Sequence, residues 1–491
     1  MKAEIHIYGP TSMLKGKYPV RAVKLATSYP VDGAKFSDAF RKGRWDGRKH
    51  LFKTRTGAFP TGLVSCVRGV CEEHGVEVSI VDHRKVPKIP KKASFELEGI
   101  KFDYPYEYQP LVAQAMVDQK QGIVKLATNA GKTEVSCAVT RYLDVPTLFV
   151  VTNRELLYQA RKRFQARLGL GDTEVGIIGD GNWSPGSKVT IATVDTLESR
   201  LDTKVCIDFL ESIELMFLDE AHHVGSETWY TVSTLCPAYY RFGLSGTPLD
   251  RTDGANLRLI AATGEIVYEI TNKELVDRGI SAPAKIIFDK VTTPILKKKI
   301  RYQTAYKEGV VENPDLTKKV VEWTKVFMAQ GLSTLILVEE VNHGKIIDDA
   351  LWNMAGDVFI PHQFIHGTES TEVRQNALDD FANRNLPVLI ASTILDEGVD
   401  VPTIDCLICA GSRKSRIRTM QRLGRGLRGS KLIVVEFANY TNDYLLRHSL
   451  ERLEDYKAED CFTIKQSEPD AELVKSCGKR IKYYRVECYN V

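Results

Sequence analysis

Short apolar runs, separated by longer stretches of mixed polarity, make up most of this chain. From about residue 105 they read GIVKLAT, TLFVVT, KVTIATV, LMFLDE and YRFGLSGT; after a pause near SAPAK and LKKKI they continue as STLILVEE, FIPHQFIHG, PVLIAST, DCLICAG and LIVVEFA. Fully apolar runs of strand length, spaced by helix-length segments, are typical of parallel sheets that helices cover on both faces. The pattern predicts two consecutive α/β units.

The two ends of the chain follow a different pattern. Residues 1–85 carry short alternating runs such as AEIHIY and EVSIVD around a Gly-rich basic middle, which predicts a small α+β unit, and the Pro/Lys-rich stretch 85–93 favours a linker. From about residue 442 the chain is charged and helical, and its last residues, RIKYYRVECYNV, favour a strand. A prior of ~150 residues per domain allows about three domains in 491 residues. We expect a basic N-terminal domain at 1–90, α/β domains at 91–280 and 281–441, and a C-terminal extension at 442–491.

Composition narrows the class of protein. A hydrophobic content of 43% with 26% charged residues is ordinary for a soluble globular protein. We find neither an apolar stretch near the ~20 residues that cross a bilayer nor the apolar core of a signal peptide, so we expect a cytoplasmic protein. Ten cysteines are scattered without a disulfide framework, and Cys406 and Cys409 share the apolar run IDCLICAG. That run predicts a buried strand rather than a zinc or redox site.

Local charge is more informative than the formal net charge of +4. The segment 41–55, RKGRWDGRKHLFKTR, holds a single Asp among many Lys and Arg residues, and the segment 413–428 is basic with no carboxylate. Two basic patches on a nearly neutral protein suit a phosphate-backbone ligand that is met at defined places. The alternative is a solvated, salt-bridged surface.

The segment LATNAGKTE, 126–134, carries the first candidate chemistry. It follows an apolar strand and precedes a helix-compatible run, which is the context of a phosphate-binding loop, although Leu126 stands where the usual pattern has Gly. Lys132 would reach the β and γ oxygens of a nucleotide, the Thr133 hydroxyl would bind Mg²⁺, and Gly131 would let the backbone approach closely. A chance GKT before a helix is the alternative. The residues expected at the nucleotide are Thr128, Asn129, Ala130, Gly131, Lys132 and Thr133.

Two carboxylates follow the apolar run LMFL. Asp219 and Glu220 would lie at the C-terminal end of that strand, the edge at which open α/β sheets bind ligands. Asp219 would hold Mg²⁺, and Glu220 would orient or deprotonate the attacking water. Adjacent acids at a strand end are often only a turn or a helix cap, but these follow the candidate loop by about 90 residues and precede Ala-His. His222 is then a candidate for coupling the nucleotide site to a nucleic-acid site, whereas His223 is expected to be incidental.

In order and spacing, the motifs between about 105 and 430 resemble those of the superfamily 2 helicases. ATNAGKT is similar to motif I, VTNRELLYQ to motif Ia, ATVDTL to motif Ib, DEAH to motif II and SGT to motif III. STILDEGVDVP is similar to motif V and QRLGRGLR to motif VI. The resemblance implies two tandem RecA-like domains, with ATP and Mg²⁺ as cofactors, that use ATP hydrolysis to move along a nucleic acid.

The resemblance also implies roles at the ATP site. Gln109, upstream of motif I, would hydrogen-bond adenine, although the residues before it depart from the family's pattern. Arg425 and Arg428 would enter the ATP site from the second domain as arginine fingers, whose planar guanidinium suits the transferring phosphoryl group and which are worth about 10³–10⁵ in rate. Gln421 would contact the same site or its water. Gly398 and Asp400 would lie near the nucleotide.

For the nucleic-acid site, the resemblance implies contacts of low specificity. Ser245 and Thr247 would couple the two sites rather than catalyse. Contacts with the sugar–phosphate backbone, which carry no sequence preference, are expected from Arg154, Gly179, Thr193 and Thr393.

The N-terminal unit narrows the resemblance further. The stretch 40–64, FRKGRWDGRKHLFK…FPTGLV, is similar to the N-terminal domain of UvsW-type helicases of tailed phages, which remodel junctions, forks and R-loops. Trp45 would either stack on an unpaired base or anchor the core of the small domain. The residues expected to neutralise phosphates are Arg41, Lys42, Arg44, Arg48 and Lys49.

Three functions stay open on the sequence alone. The first is an ATP-dependent DNA helicase that remodels branched DNA in replication, recombination or repair, acting as a monomer, in the host cytoplasm if the source is a phage. The second is an RNA helicase. The third is a nucleic-acid sensor without catalysis, against which the intact set of catalytic residues argues. A restriction-type translocase subunit is a further alternative, but we find no nuclease motif.

Overall fold

The computed structural model describes residues 1–91, 93–250, 254–353, 360–392, 404–411 and 432–466. Contacts divide the chain into two units, Met1–Thr271 and Asn272–Val491. The sequence pattern predicts this boundary at residue 280 instead. The side-chain amide of Asn272 donates a 2.9 Å hydrogen bond to Glu459, which ties the helix that begins there to the second unit.

The first part of unit 1 is a small α+β fold. Its four strands pair in the order β5-β2-β1-β6, and β3 and β4 form a separate two-stranded antiparallel sheet. Along β1 exposed and buried positions alternate, so that Ala3, Ile5 and Ile7 enter the core, as the alternating run AEIHIY predicts. The strands are β1 (Lys2–Ile7), β2 (Thr11–Gly16), β3 (Ser28–Pro30), β4 (Arg48–His50), β5 (Ala58–Pro60) and β6 (Glu77–Asp82), and the helices are α1 (Val20–Ala26), α2 (Asp38–Arg41) and α3 (Val64–Glu73).

The rest of unit 1 is an eight-stranded sheet in the order β10-β9-β11-β8-β12-β13-β7-β14, parallel except for the β9–β10 pair. Five of its strands are buried along their whole length, as continuous apolar runs predict. The strands are β7 (Gln121–Leu126), β8 (Thr147–Val151), β9 (Val175–Gly179), β10 (Asn182–Ser184), β11 (Val189–Thr193), β12 (Leu215–Asp219), β13 (Tyr240–Ser245) and β14 (Ile266–Ile270). The helices are α4 (Tyr108–Gln119), α5 (Lys132–Leu143), α6 (Arg154–Leu168), α7 (Val194–Glu198), α8 (Lys204–Glu211), α9 (Glu227–Leu235) and α10 (Asn256–Thr263).

Helix α10 joins the two parts of unit 1. Its residue Ala261 is buried in the core of the N-terminal part, and Leu259 is buried in the core of the large sheet. The approach is closest at Gly62, where a Cβ atom would overlap the main-chain oxygen of Ile260 and lie 2.7 Å from that of Ala261. The N-terminal part therefore packs directly on the first α/β domain.

Unit 2 contains a seven-stranded sheet in the order β17-β18-β16-β19-β20-β15-β21, with every described pair parallel. Cys406 and Cys409 lie in β19 and are buried, which confirms the predicted strand. The strands are β15 (Ala284–Val291), β16 (Thr334–Leu337), β17 (His362–Ile365), β18 (Val388–Ala391), β19 (Cys406–Cys409), β20 (Leu432–Asn439) and β21 (Thr463–Gln466). The helices are α11 (Asn272–Asp277), α12 (Tyr302–Tyr306), α13 (Pro314–Ala329), α14 (Val341–Asn353), α15 (Thr371–Ala382) and α16 (Asp443–Lys457).

Helix α16 follows the charged, helical pattern of the predicted C-terminal extension, whereas the expected strand in RIKYYRVECYNV lies outside the described residues. Among the helices that the structure describes, none combines the length and apolarity needed to cross a membrane. The predicted fold class, parallel α/β sheets with a small α+β part, is confirmed.

Candidate nucleotide site and nucleic-acid surface

The candidate phosphate loop connects β7 to α5. Asn129 and Gly131 adopt left-handed backbone conformations, with φ of 74° and 83°, and the helix begins at Lys132. The first N–H groups of a helix have no acceptor within the helix and carry a partial positive charge, so this end of α5 suits a phosphate. The sequence expectation for 126–134, a strand followed by a tight turn and a helix, matches this geometry.

Two side chains fix the main chain of the phosphate loop by hydrogen bonds. The hydroxyl of Tyr108 and the amide of Gln109 both donate to the carbonyl of Ala130, at 2.8 and 3.1 Å. A Cβ atom at Gly131 would overlap the Gln109 amide nitrogen, so the close approach requires glycine here. Gln109 is 3% exposed and contacts the loop; its predicted hydrogen bond to adenine stays a prediction.

The two acids meet Lys132 at the C-terminal end of β12. The Lys132 ammonium donates to Glu220 at 2.7 Å and lies 4.0 Å from Oδ1 of Asp219. Burial alone would raise the pKa of Glu220, but Lys132 holds that pKa below its usual value. Burial raises the pKa of Asp219 despite the attraction of Lys132. Lys132 and two acids that lie 87 and 88 positions further along the chain thus form one cluster.

Asp219 fits a metal ligand. Its Oδ1 atom is buried and accepts no hydrogen bond from any residue that the structure describes. Thr133 lies in the first turn of α5, next to Lys132. Within the described ranges, no group of three or more His, Cys, Asp or Glu side chains could form a metal cage. One carboxylate and one hydroxyl suit Mg²⁺, which usually takes few protein ligands and completes its shell with substrate phosphates and water.

His222 links the acids to the next loop. Its Nδ1 atom lies 3.2 Å from the hydroxyl of Ser245 and 3.5 Å from Glu220, and its side chain is buried. The same Ser245 oxygen accepts a hydrogen bond of 3.1 Å from the main-chain N–H of Thr247. The three residues predicted to couple the sites are therefore in one chain of contacts that begins at the acid cluster.

Arg258 on α10 is a site residue that the sequence analysis missed. It donates to the carbonyl of Gly225 at 2.7 Å, where the 3₁₀ turn Ala221–Gly225 after the acids ends, and to the carboxylate of Glu227. Its guanidinium also lies over the ring of Tyr29 from the N-terminal part, 5.7 Å from the ring centroid. No motif marks Arg258, because its hydrogen-bond partners are 31 and 33 positions earlier and one is a main-chain oxygen.

Three predicted backbone contacts come together at the C-terminal ends of adjacent strands. Arg154 follows β8, Gly179 ends β9 and Thr193 ends β11, and these three strands are neighbours in the sheet. A Cβ atom at Gly179 would lie 2.8 Å from the hydroxyl of Thr193. Arg154 is 66% exposed but pairs with Asp180 at 3.1 Å. The Thr193 hydroxyl donates to Thr196 at 2.9 Å and is largely buried.

The predicted basic patch of the N-terminal part divides into two groups. Arg41, Lys42 and Arg44 are exposed. Arg48 instead donates to the side chain and carbonyl of Ser28 at 2.8 and 2.7 Å, which links the paired strands β3 and β4.

Lys49 and Trp45 also make contacts inside the unit. Lys49 pairs with Glu227 at 2.9 Å. Trp45 is half-buried, and its Nε1–H donates to the carbonyl of Arg48 at 2.8 Å. Of the two interpretations of Trp45, its contacts favour the structural one.

Six predicted site residues lie outside the described residues. They are Thr393, Gly398, Asp400, Gln421, Arg425 and Arg428.

Comparison with known proteins assigns a family model to each unit. Residues 102–250 match the model for the type III restriction enzyme, res subunit, and residues 318–430 match the helicase conserved C-terminal domain. The chain is 28% identical over 409 residues to the DNA 3′-5′ translocase XPB2 of Sulfurisphaera tokodaii, across 76% of this chain and 88% of that protein. It is 25% identical over 480 residues to the ATP-dependent DNA helicase uvsW of Enterobacteria phage T4, across 88% of this chain and 92% of that protein.

A solved structure shows the same fold. The fragment of a putative HsdR subunit of a type I restriction enzyme from Vibrio vulnificus superposes with a TM-score of 0.54 at 16% identity, covering 74% of this chain and 70% of that chain.

Proposed function

From the premise that this chain belongs to the superfamily 2 helicases and is an ATP-dependent helicase, we propose that it remodels branched DNA. The observation that carries the ATP-driven part of this proposal is the cluster of Lys132, Asp219 and Glu220 beside the Gly131 loop, which has the groups that phosphoryl transfer to water requires.

Each residue of the cluster has a proposed role. The N-terminal amides of α5 and the Lys132 ammonium bind the β- and γ-phosphates. Asp219 and Thr133 would hold Mg²⁺, which neutralises phosphate charge when it is bound. Glu220 accepts a proton from the attacking water once the phosphates draw Lys132 away from it, since a carboxylate held by an ammonium at 2.7 Å is a weaker base.

The His222–Ser245–Thr247 contacts support a role in coupling. The chain of hydrogen bonds begins beside Glu220 and ends at the loop after β13, so a change at the γ-phosphate would shift that loop. Arg425 and Arg428 keep their proposed role as arginine fingers, with Gln421 beside them, and Gly398 and Asp400 near the nucleotide.

DNA is the proposed substrate for two reasons. Both curated relatives described above are named for action on DNA, one as a translocase and one as a helicase. The N-terminal part, present in addition to the two helicase units, exposes Arg41, Lys42 and Arg44 to a phosphate backbone. The resemblance of its 40–64 stretch to UvsW-type helicases supports forks, junctions and R-loops as the branched substrates.

A panel of nucleic acids tests the proposal. ATPase and strand-separation rates of the full chain are measured with single-stranded DNA, duplex, fork, four-way junction, R-loop and RNA duplex at one salt concentration. We expect the fork or the junction to stimulate the ATPase rate most. We expect Lys132→Ala to lose ATP hydrolysis but to keep DNA binding. Stimulation by RNA duplex alone would favour the RNA helicase instead, and near-normal turnover of Lys132→Ala would refute the site.

A further inference from the structure

Two phenylalanine rings are exposed within the basic segment of the N-terminal part. Phe36 is 68% exposed and Phe40 is 40% exposed. Burying a phenylalanine is worth about 1.5–3 kcal/mol relative to leaving it in water, so two exposed rings four residues apart offer apolar surface that a bound group would gain by covering. The helicase motifs assign no role to either ring.

The backbone under the two rings is well fixed. Ser37 caps α2 by accepting a 3.3 Å hydrogen bond from the N–H of Phe40, and its own hydroxyl donates to Ala34 at 2.9 Å. The ring of Phe40 covers Gly47, where a Cβ atom would lie 3.0 Å from two ring carbons. The main-chain N–H of Val31 donates to the carbonyl of Gly47 at 2.9 Å. The rings are thus presented on a braced turn, and a bound group would not have to order the segment first.

Cationic residues lie beside the two rings in the sequence. The ammonium of Lys35 lies 5.2 Å from the centroid of the Phe36 ring, and Arg41, Lys42 and Arg44 follow within a few residues as exposed side chains. A single carboxylate, Asp38, lies between Lys35 and Arg44. Aromatic faces interleaved with cations match one ligand chemistry, an unpaired nucleotide, whose base stacks and whose phosphate is an anion.

We propose that Phe36 and Phe40 form a stacking surface for unpaired bases at the branch point of DNA, with Arg41, Lys42 and Arg44 on the flanking phosphates. The proposal rests on the proposed function and makes it more specific, because it assigns recognition of the branch to single-stranded bases beside the duplex. The proposal assigns base stacking to these two rings rather than to Trp45, because the indole of Trp45 is half-buried and its N–H already donates to the carbonyl of Arg48.

The expected effect is a loss of preference for unpaired DNA. Stacking of one base on an aromatic side chain changes affinity by about 5- to 150-fold. We expect Phe36→Ala to weaken binding to a fork with unpaired arms about tenfold and to leave binding to a blunt duplex of equal length within about twofold, since only the fork offers a base to stack. Phe36→Trp should bind the fork with wild-type affinity, because its larger ring still offers a face on which a base can stack.

The experiment measures the Kd of the full chain for both DNAs by fluorescence anisotropy across a salt series. Leu25→Ala is the matched control, since Leu25 is 58% exposed in the same part of the chain but outside the basic segment. Phe36→Ala should keep the slope of log Kd against log salt, whereas Arg44→Gln should reduce that slope, because only the second change removes a phosphate contact.

These measurements distinguish failure of the stacking surface from failure of the proposed function. Equal fork affinity of Phe36→Ala and the wild type, in protein whose thermal unfolding is unchanged, would overturn the stacking surface while leaving the proposed function intact. Absence of any DNA-stimulated ATPase in the wild type would overturn the proposed function itself.

Discussion

Replacing Arg258 by methionine should disturb both the stability of unit 1 and its turnover. Arg258 is 10% exposed at its side chain and donates to the carbonyl of Gly225 at 2.7 Å. A methionine side chain at this position would fill similar space without a charge or a donor, so the substitution isolates the polar contacts from the packing.

The magnitude follows from these contacts. Loss of a hydrogen bond from a charged donor to a buried carbonyl costs about 1.5–3 kcal/mol. The guanidinium also lies 5.7 and 5.6 Å from the ring centroids of Tyr29 and Tyr230, at about 0.5–1 kcal/mol for each contact. The ion pair with Glu227 adds little, because the Glu227 carboxylate is 67% exposed. We expect a total loss of about 2.5–5 kcal/mol.

Turnover should fall because Gly225 ends the turn that begins directly after Glu220. A misplacement of about 1 Å at a catalytic group can cost on the order of 10²-fold in rate, so we expect kcat for DNA-stimulated hydrolysis to fall about tenfold or more. The KM for ATP should change by less than about threefold, since Lys132 and the phosphate loop are untouched.

Urea unfolding and steady-state ATPase assays check this prediction. Trp229, one of five tryptophans in the chain, is 5% exposed and packs on His223 of the same turn, so its fluorescence reports the turn in a variant whose other four tryptophans are replaced by phenylalanine. Arg68→Met, at an exposed position on α3, is the matched control. A variant with wild-type unfolding free energy and wild-type kcat would show that Arg258 does not support the acid-bearing turn.

Three further predictions concern stability. In unit 2, Glu436→Gln should lower the unfolding free energy by about 3–5 kcal/mol in urea titration, because it leaves the buried guanidinium of Arg452, now 3.1 Å from Glu436, without its counter-charge. Burial lowers the pKa of His343 from 6.5 to about 4, so between these pH values the imidazole is protonated in the unfolded chain but neutral in the native chain. The unfolding free energy of the wild type should therefore fall by about 3 kcal/mol as the pH drops from about 6.5 to about 4. His343→Leu should lack that part of the loss. Gly62→Ala should lose about 2 kcal/mol or more, because its methyl group would overlap the main-chain oxygen of Ile260, and an unchanged thermal midpoint would contradict that close packing.

The strands and the acid cluster could be predicted because their signals are local. A continuous apolar run specifies a buried parallel strand wherever it occurs, and the loop before α5 and the acids after β12 occupy the strand ends that α/β sheets offer to ligands. Once both segments end at the same edge, the contact between Lys132 and Glu220 follows from topology. Neither prediction needed knowledge of a distant partner.

The side-chain contacts that the sequence could not predict all depend on distant partners. Arg48 lies in a basic segment that is typical of phosphate contacts, but its hydrogen-bond acceptor is Ser28, 20 positions earlier. Lys49 pairs with a carboxylate 178 positions away. Arg258 was missed because a main-chain carbonyl leaves no trace in a sequence. A charge pattern shows that a residue needs a counter-charge or water around it. Only the packed structure determines which of the two surrounds it.

The sharing of α10 between two cores has a geometric consequence for any DNA bound to the N-terminal part. Ala261 of this helix is buried in the core of the N-terminal part, and Arg258, one turn earlier, reaches the turn after the acids. Because the two cores share this helix, a displacement of the N-terminal part would also displace the acid-bearing turn. In the proposed function, the N-terminal part would therefore act as a fixed spacer between a bound branch point and the phosphate loop rather than as a flexible tether.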